Sequence, residues 1–444
     1  MEKSIFNRVI PLKKSRRILV NTLSGAMDIV PGYYCEYLEK PLCEEDNDIT
    51  GFLSDRCYLV GDDINEREIL TALYAKLQAA RRMKSPLKCV LIVTFDCNLK
   101  CSYCWQQHKI EEEKTQVLTR PKIDLILKAI KKLAGAIHEK SEQAPVVQVF
   151  GGEPLLAENA ELIEYILRKC QESQYDVQIT TNGVNLGRFR EMILEYGVKE
   201  IQVTVDGPED IHNRRRLGSD YQSIMDSIDK LLFYNALYVK LRVNVDHSNI
   251  HGLYSLANEI IDRRWYTNRK FYAYLAPLRD CSFTNHALIA KRRRLLAALN
   301  RLKQSFPQIE VFDVLGWDGY QPVRILENSG RFPFPKPHIC DVNLNQFVFT
   351  PSGEIHLCAE EAHGQTDIVG AYYPDFSLDK QVFNRIYYSS PLDLKRCEGC
   401  AMLPVCGGGC NLLSGNEEFL GSYCKSVRDC FEYGLQEYIE GGGN

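Results

Sequence analysis

From about residue 87 to residue 277 the sequence alternates short runs rich in β-branched and aromatic residues with longer amphipathic stretches. That alternation is the signature of βα units wound around a parallel sheet. Strands are predicted at Cys89 to Phe95, Val146 to Phe150, Val177 to Thr181, Glu200 to Val205, Tyr238 to Val245 and Lys270 to Leu275. Helical patterns at Lys122 to His138, Glu158 to Gln171 and Tyr221 to Tyr234 are each long enough for a crossover. A closed barrel needs eight such units, so the expectation is an α/β fold with an open, partial (β/α)6 TIM-like barrel. Ligands then belong at the C-terminal ends of its strands.

A chain of 444 residues exceeds what one hydrophobic core usually serves, and both flanks of the barrel read differently. Residues 1–86 show a two-strand pattern at Arg17 to Val30, a helix at Gly32 to Glu39, a strand at Cys57 to Val60 and a helix at Glu66 to Arg82, a small α+β module. Residues 87–330 are the barrel. Residues 331–444 are rich in Pro, Gly and Cys, open on a stiff linker from Phe332 to Pro337, and are expected to be held by metal.

The net charge of −4 offers polyanions no general attraction, and the basic runs Lys13 to Arg17, Arg214 to Arg216 and Lys291 to Arg294 are short, so nucleic acid is not the expected partner. No apolar stretch approaches the roughly 20 residues that span a bilayer, and the first residues lack the apolar core of a signal peptide. A cytoplasmic location is expected. There, 17 cysteines would bind metals or do chemistry rather than form disulfides.

Cys97, Cys101 and Cys104 place three thiols within eight residues, just past the first barrel strand. A cubane takes four ligands, so three cysteines leave one iron open. Zinc is the alternative, with His108 completing a site of three cysteines and one histidine. Gly151-Gly152-Glu153-Pro154 follows the second strand, Thr180-Thr181-Asn182-Gly183 the third, and Asp206-Gly207-Pro208 the fourth. Each alone is an ordinary turn. Arg242 and Asn244 on the fifth strand have the spacing that points both to one face.

Together these motifs resemble the radical S-adenosylmethionine (SAM) superfamily, including the aromatic Tyr103 before the last cysteine. The resemblance implies a [4Fe–4S] cluster on Cys97, Cys101 and Cys104, with SAM chelating the open iron and being cleaved to a 5′-deoxyadenosyl radical. It also implies that Gly151, Gly152, Glu153 and Pro154 receive the methionine ammonium, the glycines admitting the ligand and Glu153 and the Pro154 carbonyl offering acceptors to it. Tyr103, Thr181, Asn182, Arg242 and Asn244 are the further SAM contacts expected. Asp206, His212 and Arg214 read equally as substrate or structural residues.

Cys340, Cys358, Cys397, Cys400, Cys406, Cys410 and Cys424 form a second ordered set. It resembles the SPASM extension of radical SAM enzymes that modify peptides, which implies two auxiliary [4Fe–4S] clusters, three clusters in all. By motif position, cluster I takes Cys340, Cys358 and Cys410, and cluster II takes Cys397, Cys400, Cys406 and Cys424. Cluster I lacks a fourth ligand. Cys281, past the sixth strand, either closes it or leaves an iron open for a substrate thiolate, and is the candidate catalytic residue. A fully ligated cluster I suits electron transfer. A zinc ribbon on Cys397, Cys400, Cys406 and Cys410 is the alternative, but it leaves the other three unexplained.

Residues 1–86 resemble the winged-helix-like modules that recognise precursor peptides, to whose sheet a leader would add as a strand; a plain cap on the barrel is the alternative. The function implied is a maturase that installs a carbon-centred cross-link, a thioether being one form, on a ribosomally made precursor peptide. An electron donor such as flavodoxin or ferredoxin is the second partner implied. The alternatives are a formylglycine-forming sulfatase-maturing enzyme, in which Ala359 stands where relatives carry an acid, and a peptide epimerase using Cys89, Cys170 or Cys281 as hydrogen donor. A zinc-stabilised binding protein is the alternative outside enzymes.

Overall fold

The computed structural model describes residues 1–39, 47–104, 106, 115–137, 143–279, 291–333, 335–338, 340–360, 368–410 and 417–442. The chain opens on β1 (Glu2–Lys3), β2 (Asn7–Pro11), β3 (Arg16–Asn21) and β4 (Met27–Pro31), then α1 (Gly32–Tyr37), α2 (Asn47–Asp55), β5 (Leu59–Val60) and α3 (Glu66–Lys84). β2, β3 and β4 form an antiparallel sheet, one strand more than the two-strand pattern suggests, and β5 pairs with β1. Leu19, Val30, Leu53 and Tyr58 make a small separate core. Asn65 caps α3, accepting from Arg67 N and Glu68 N. Acids in the first turn and Arg81, Arg82 and Lys84 in the last complement its dipole.

The barrel follows: β6 (Lys88–Ile92), β7 (Lys100–Cys101), α4 (Arg120–Ile137), β8 (Val146–Phe150), α5 (Ala160–Glu172), β9 (Asp176–Thr181), α6 (Leu186–Glu195), β10 (Glu200–Thr204), α7 (Glu209–Arg215), β11 (Arg216–Leu217), α8 (Tyr221–Tyr234), β12 (Tyr238–Val245), α9 (Leu253–Asp262), β13 (Phe271–Pro277), α10 (Arg292–Ser305), β14 (Phe312–Val314) and α11 (Gln321–Ser329). Strands β6, β8, β9, β10, β12 and β13 pair parallel in that order, and β14 adds a seventh beyond the six expected. Alternate residues face opposite sides. Leu91, Val149, Ile179, Val203 and Val243 pack beneath the helices. The other face carries a polar belt in which Gln148 Nε2 donates to Thr180 Oγ1 (2.9 Å) and Tyr274 Oη to Gln202 Oε1 (2.7 Å). An apolar core does not need such a belt, and it marks this concave face as the working one.

The last part contains β15 (Gln346–Phe349), β16 (Glu354–His356), β17 (Gly370–Ala371), β18 (Ser377–Leu378), α12 (Lys380–Tyr387), α13 (Leu403–Cys406) and α14 (Glu417–Glu440). β15 pairs parallel with β6, and β16, β17 and β18 continue outward antiparallel, so one 11-stranded sheet runs from the barrel into the cysteine-rich region. Helix α3 docks on the same region: Tyr74 Oη donates to Leu403 O (2.9 Å), Gln78 Nε2 to Asn343 O (2.6 Å) and Arg82 Nη2 to Tyr387 O (2.6 Å). Among the described residues no helix is long and apolar enough to cross a membrane.

Candidate active site

The motifs after β6, β8, β9 and β10 meet at one edge of the sheet. Thr94–Asp96 run beside Gly151–Glu153, with Gly152 N donating to Thr94 O (2.8 Å) and Glu153 N to Asp96 O (2.8 Å). A Cβ on Gly151 would lie 2.3 Å from Thr94 O, and one on Gly152 2.1 Å from Asp96 O. Contact between two loops of the chain therefore demands glycine at both positions. The Glu153 carboxylate, fully buried, accepts from Leu155 N (2.8 Å), Thr181 Oγ1 (2.7 Å) and Asn182 N (2.6 Å). Burial raises its pKa against those three bonds. Glu153 thus brackets the loops after β8 and β9, while the Pro154 carbonyl accepts from Asn159 Nδ2 (3.3 Å).

Asn182 reaches the first cysteine, its Nδ2 donating to Asn98 Oδ1 (2.7 Å) and toward Cys97 Sγ (3.8 Å), which also accepts from Leu99 N (3.4 Å). Cys101 lies on β7, paired antiparallel with β11 so that Arg216 stands opposite it. Burial pushes the Cys97 thiol up to about 12, and Glu153, Cys101 and Cys104 add to the shift. Burial likewise pushes Cys101 up to about 11, with Arg216 pulling it back. Thiols so placed release their protons to a bound cation, and three of them suit three irons of a cubane. Among the described residues no three His, Cys, Asp or Glu side chains converge on a single metal ion. A cubane spreads its thiolates over separate irons and does not require such convergence. His108 lies outside the described residues.

Tyr103 anchors a polar network. Its hydroxyl donates to Asp206 Oδ2 and accepts from Arg216 Nη1 (2.7 Å) and Asn244 Nδ2 (3.2 Å). The Arg215 guanidinium lies 5.0 Å from the Tyr103 ring centroid and pairs with Asp246 (3.0 Å) and Asp206 (3.6 Å). Arg242 Nε donates to Asn244 Oδ1 (2.9 Å), joining the two residues expected on one face. His212 accepts at Nδ1 from Asp206 N (3.2 Å) and meets Ser219 Oγ at Nε2 (2.7 Å). Burial, then Arg216, pushes its pKa down to about 3, so it is a neutral structural residue. Arg214 is exposed, while Arg215 and Arg216 are buried. Sequence reasoning missed both; for Arg215 the signal was the helical spacing that puts Ile211, His212 and Arg215 on one face of α7, and for Arg216 there was none.

Residues 91–235 match the family profile described as the Radical SAM superfamily. The chain carries a radical SAM domain. Such a domain implies a [4Fe–4S] cluster and SAM, and the thiols of Cys97, Cys101 and Cys104, the first and last half-buried and Cys101 buried, fit the cluster. Among curated proteins, GTP 3′,8-cyclase of Alkaliphilus oremlandii (strain OhILAs) is 30% identical over 154 residues, 34% of this chain and 45% of that protein. The match thus spans less than half the length of that relative. GTP 3′,8-cyclase of Nitrobacter winogradskyi is 25% identical over 278 residues, 60% of this chain and 74% of that protein. Among solved structures, anSMEcpe with bound AdoMet has a TM-score of 0.56 at 18% identity, covering 81% of this chain and 100% of that one. Streptococcus suis SuiB bound to precursor peptide SuiA has a TM-score of 0.50 at 16% identity, covering 93% and 95%. At these identities the two structures share the fold of this chain.

Beyond the radical SAM domain, the structure gathers much of the second cysteine set. Burial raises the Cys406 thiol, and the charges of Asp318, Cys424, Cys397 and Cys400 raise it further, so Cys397, Cys400, Cys406 and Cys424 lie within electrostatic reach of one another. Gly407, Gly408 and Gly409, all left-handed (φ +64°, +82°, +83°), carry the chain from Cys406 to Cys410. Cys340 and Cys410 share a neighbour in Arg279, whose charge counters the burial of the Cys340 thiol and is itself supported by Asp318, Glu360, Tyr423 and Cys410. Cys358 follows β16. Cys281, two residues past Arg279, lies outside the described residues. Cys89 and Cys170 are fully buried in the core beneath the helices. Neither faces the barrel interior, which removes both as hydrogen donors for epimerisation.

Proposed function

We propose that this radical SAM enzyme is a peptide maturase that installs a carbon-centred cross-link, a thioether being one form, on a ribosomally made precursor. The observation that carries the reading is the gathering of Cys397, Cys400, Cys406 and Cys424, with Cys340 and Cys410 around Arg279. A second cysteine set of this size suits two auxiliary clusters, for which Cys340, Cys358 and Cys410 hold one and the other four the second. Cys97, Cys101 and Cys104 would hold the first cluster, which would supply the one electron needed for reductive cleavage of SAM. The three-cysteine loop positions that cluster, the Tyr103 network shapes the concave face, and the polar belt of Gln148, Thr180, Gln202 and Tyr274 lines it.

The division into residues 1–86, 87–330 and 331–444 belongs to the same proposal, with the first module as the leader-binding part. In support, β4 is an edge strand whose Ile29 and, just beyond, Tyr33 are exposed, flanking a cavity of about 570 Å³ lined also by Lys14, Arg16 and Arg17. An extended leader alternating apolar and acidic residues fits that edge by main-chain pairing and charge. The solved structures of similar fold include SuiB with its precursor peptide and anSMEcpe with a peptide. A cytoplasmic setting with flavodoxin or ferredoxin as donor completes the reading.

Formylglycine formation is the second reading. It needs a base near Cys358, where Ala359 packs among Val90, Ile92 and Phe150 and Glu360 is the next acid. The experiment is anaerobic incubation of the reconstituted full chain with SAM, a reductant and the peptide encoded by the short reading frame beside its gene. A cross-link is expected as loss of two hydrogens with fragmentation suppressed between the joined residues. An aldehyde at one Ser or Cys would replace this reading with the second, and consumption of GTP in the absence of peptide would replace both.

A further inference from the structure

Arg216 is 93% buried by its 7% exposure, and its position is over-determined. It stands opposite Cys101 in the β7–β11 pair, Ser102 N donates to Arg215 O (3.0 Å), and Gly218 (φ +94°) presses the turn so close that a Cβ there would sit 3.1 Å from Asn98 O. The segment after α7 is thus clamped onto the three-cysteine loop by its backbone. The side chain it delivers is a cation in a place where cations are costly unless an anion answers them. The hydrogen bond from Nη1 goes to the Tyr103 hydroxyl, a neutral group, and Nε has no hydrogen-bond partner. Asp206 acts on Arg216, but that carboxylate also pairs with Arg215 and takes the Tyr103 proton donor. Cys101 is the further negative group acting on it.

We propose that Arg216 is the positioning and counter-charge residue of the three-cysteine cluster: its buried guanidinium, bonded to the Tyr103 hydroxyl and carried on the strand opposite Cys101, stabilises the negative charge that the cluster gains on one-electron reduction. Charge and hydrogen bonds beside the sulfurs are recognised levers on cluster potential. Arg215, paired with Asp246 and Asp206, is already neutralised and does not share this role.

The inference rests on the cluster being held by Cys97, Cys101 and Cys104, and that assignment has its own control: a Cys101→Ala chain that keeps a SAM-sensitive cluster signal would sink the assignment, not the role of Arg216. The test is a redox titration of the anaerobically reconstituted full chain, with dithionite as reductant, following the electron paramagnetic resonance signal that changes when SAM is added. Arg216→Met is expected to move the midpoint to more negative potential, Arg216→Lys to restore most of the shift, and Tyr103→Phe to shift it less in the same direction. An unchanged midpoint in Arg216→Met overturns the proposal. Should Arg216→Met lose that cluster's iron, retention in Arg216→Lys supports the counter-charge, and loss in both overturns it in favour of a structural clamp.

Discussion

Glu153 and Gly152 explain why the loop after β8 tolerates so little. The carboxylate accepts from three donors of its own chain, and a Cβ on the glycine would collide with Asp96 O. Gly152→Ala must move backbone, so a loss of about 3 kcal/mol or more is expected, read as a lowered Tm or as loss of soluble protein. His212 gives a pH signature. Unfolded, its imidazole titrates near the ordinary 6.5; folded, near 3. Between those values the unfolded chain binds the proton and the folded chain does not. Its contribution is therefore full above about pH 6.5 and declines toward pH 3 by about 1.4 kcal/mol per unit. Denaturant titrations across that range should show the slope, and His212→Asn should flatten it. At this scale the sequence was legible where spacing is local: the short spacing of Cys97, Cys101 and Cys104 does keep the three within electrostatic reach of one another. It was illegible where role depends on a partner far along the chain: Arg216 reads as part of a basic run until β11 is seen paired with β7.

Among the elements, those with full-length period-two patterns were recovered within a residue or two, β8 and β12 at their predicted ends. Those that depend on a neighbour were not. β14 has three residues, too few for periodicity to register, and β15 is a strand because β6 offers it a parallel edge. Residues 1–86 read as a detachable unit, yet α3 is packed against the cysteine-rich region, with Tyr74 buried near Cys397, Cys400 and Cys406. Tyr74→Phe, which strands the Leu403 carbonyl, should cost about 1–2 kcal/mol, measured by thermal unfolding. Removing residues 1–86 should lower iron per chain as well as leader affinity. Full iron retention in the truncated chain would show that α3 does not support the second cysteine set.

For the molecule as a whole, metal analysis is the decisive number: three cubanes require about twelve irons per chain, against stoichiometric zinc for a structural site. The two ends of the chain are clasped, with Arg8 paired to Glu432 and Gln436 Nε2 donating to Pro11 O (2.9 Å), so the first module and α14 share a boundary. Separating the Arg8–Glu432 pair by Glu432→Ala should cost no more than about 1 kcal/mol, since both side chains are partly solvent-exposed. The pairing of β6 with β15 bears on how the protein is made. Strand β6 precedes its second partner by about 250 residues, so during synthesis at roughly 5–20 residues per second the nascent chain leaves the ribosome with one flank of β6 unmated for about 12 to 50 seconds. For that interval the loop bearing Cys97, Cys101 and Cys104 hangs beside an adhesive edge, and a cell producing this protein has reason to slow aggregation there before it delivers iron.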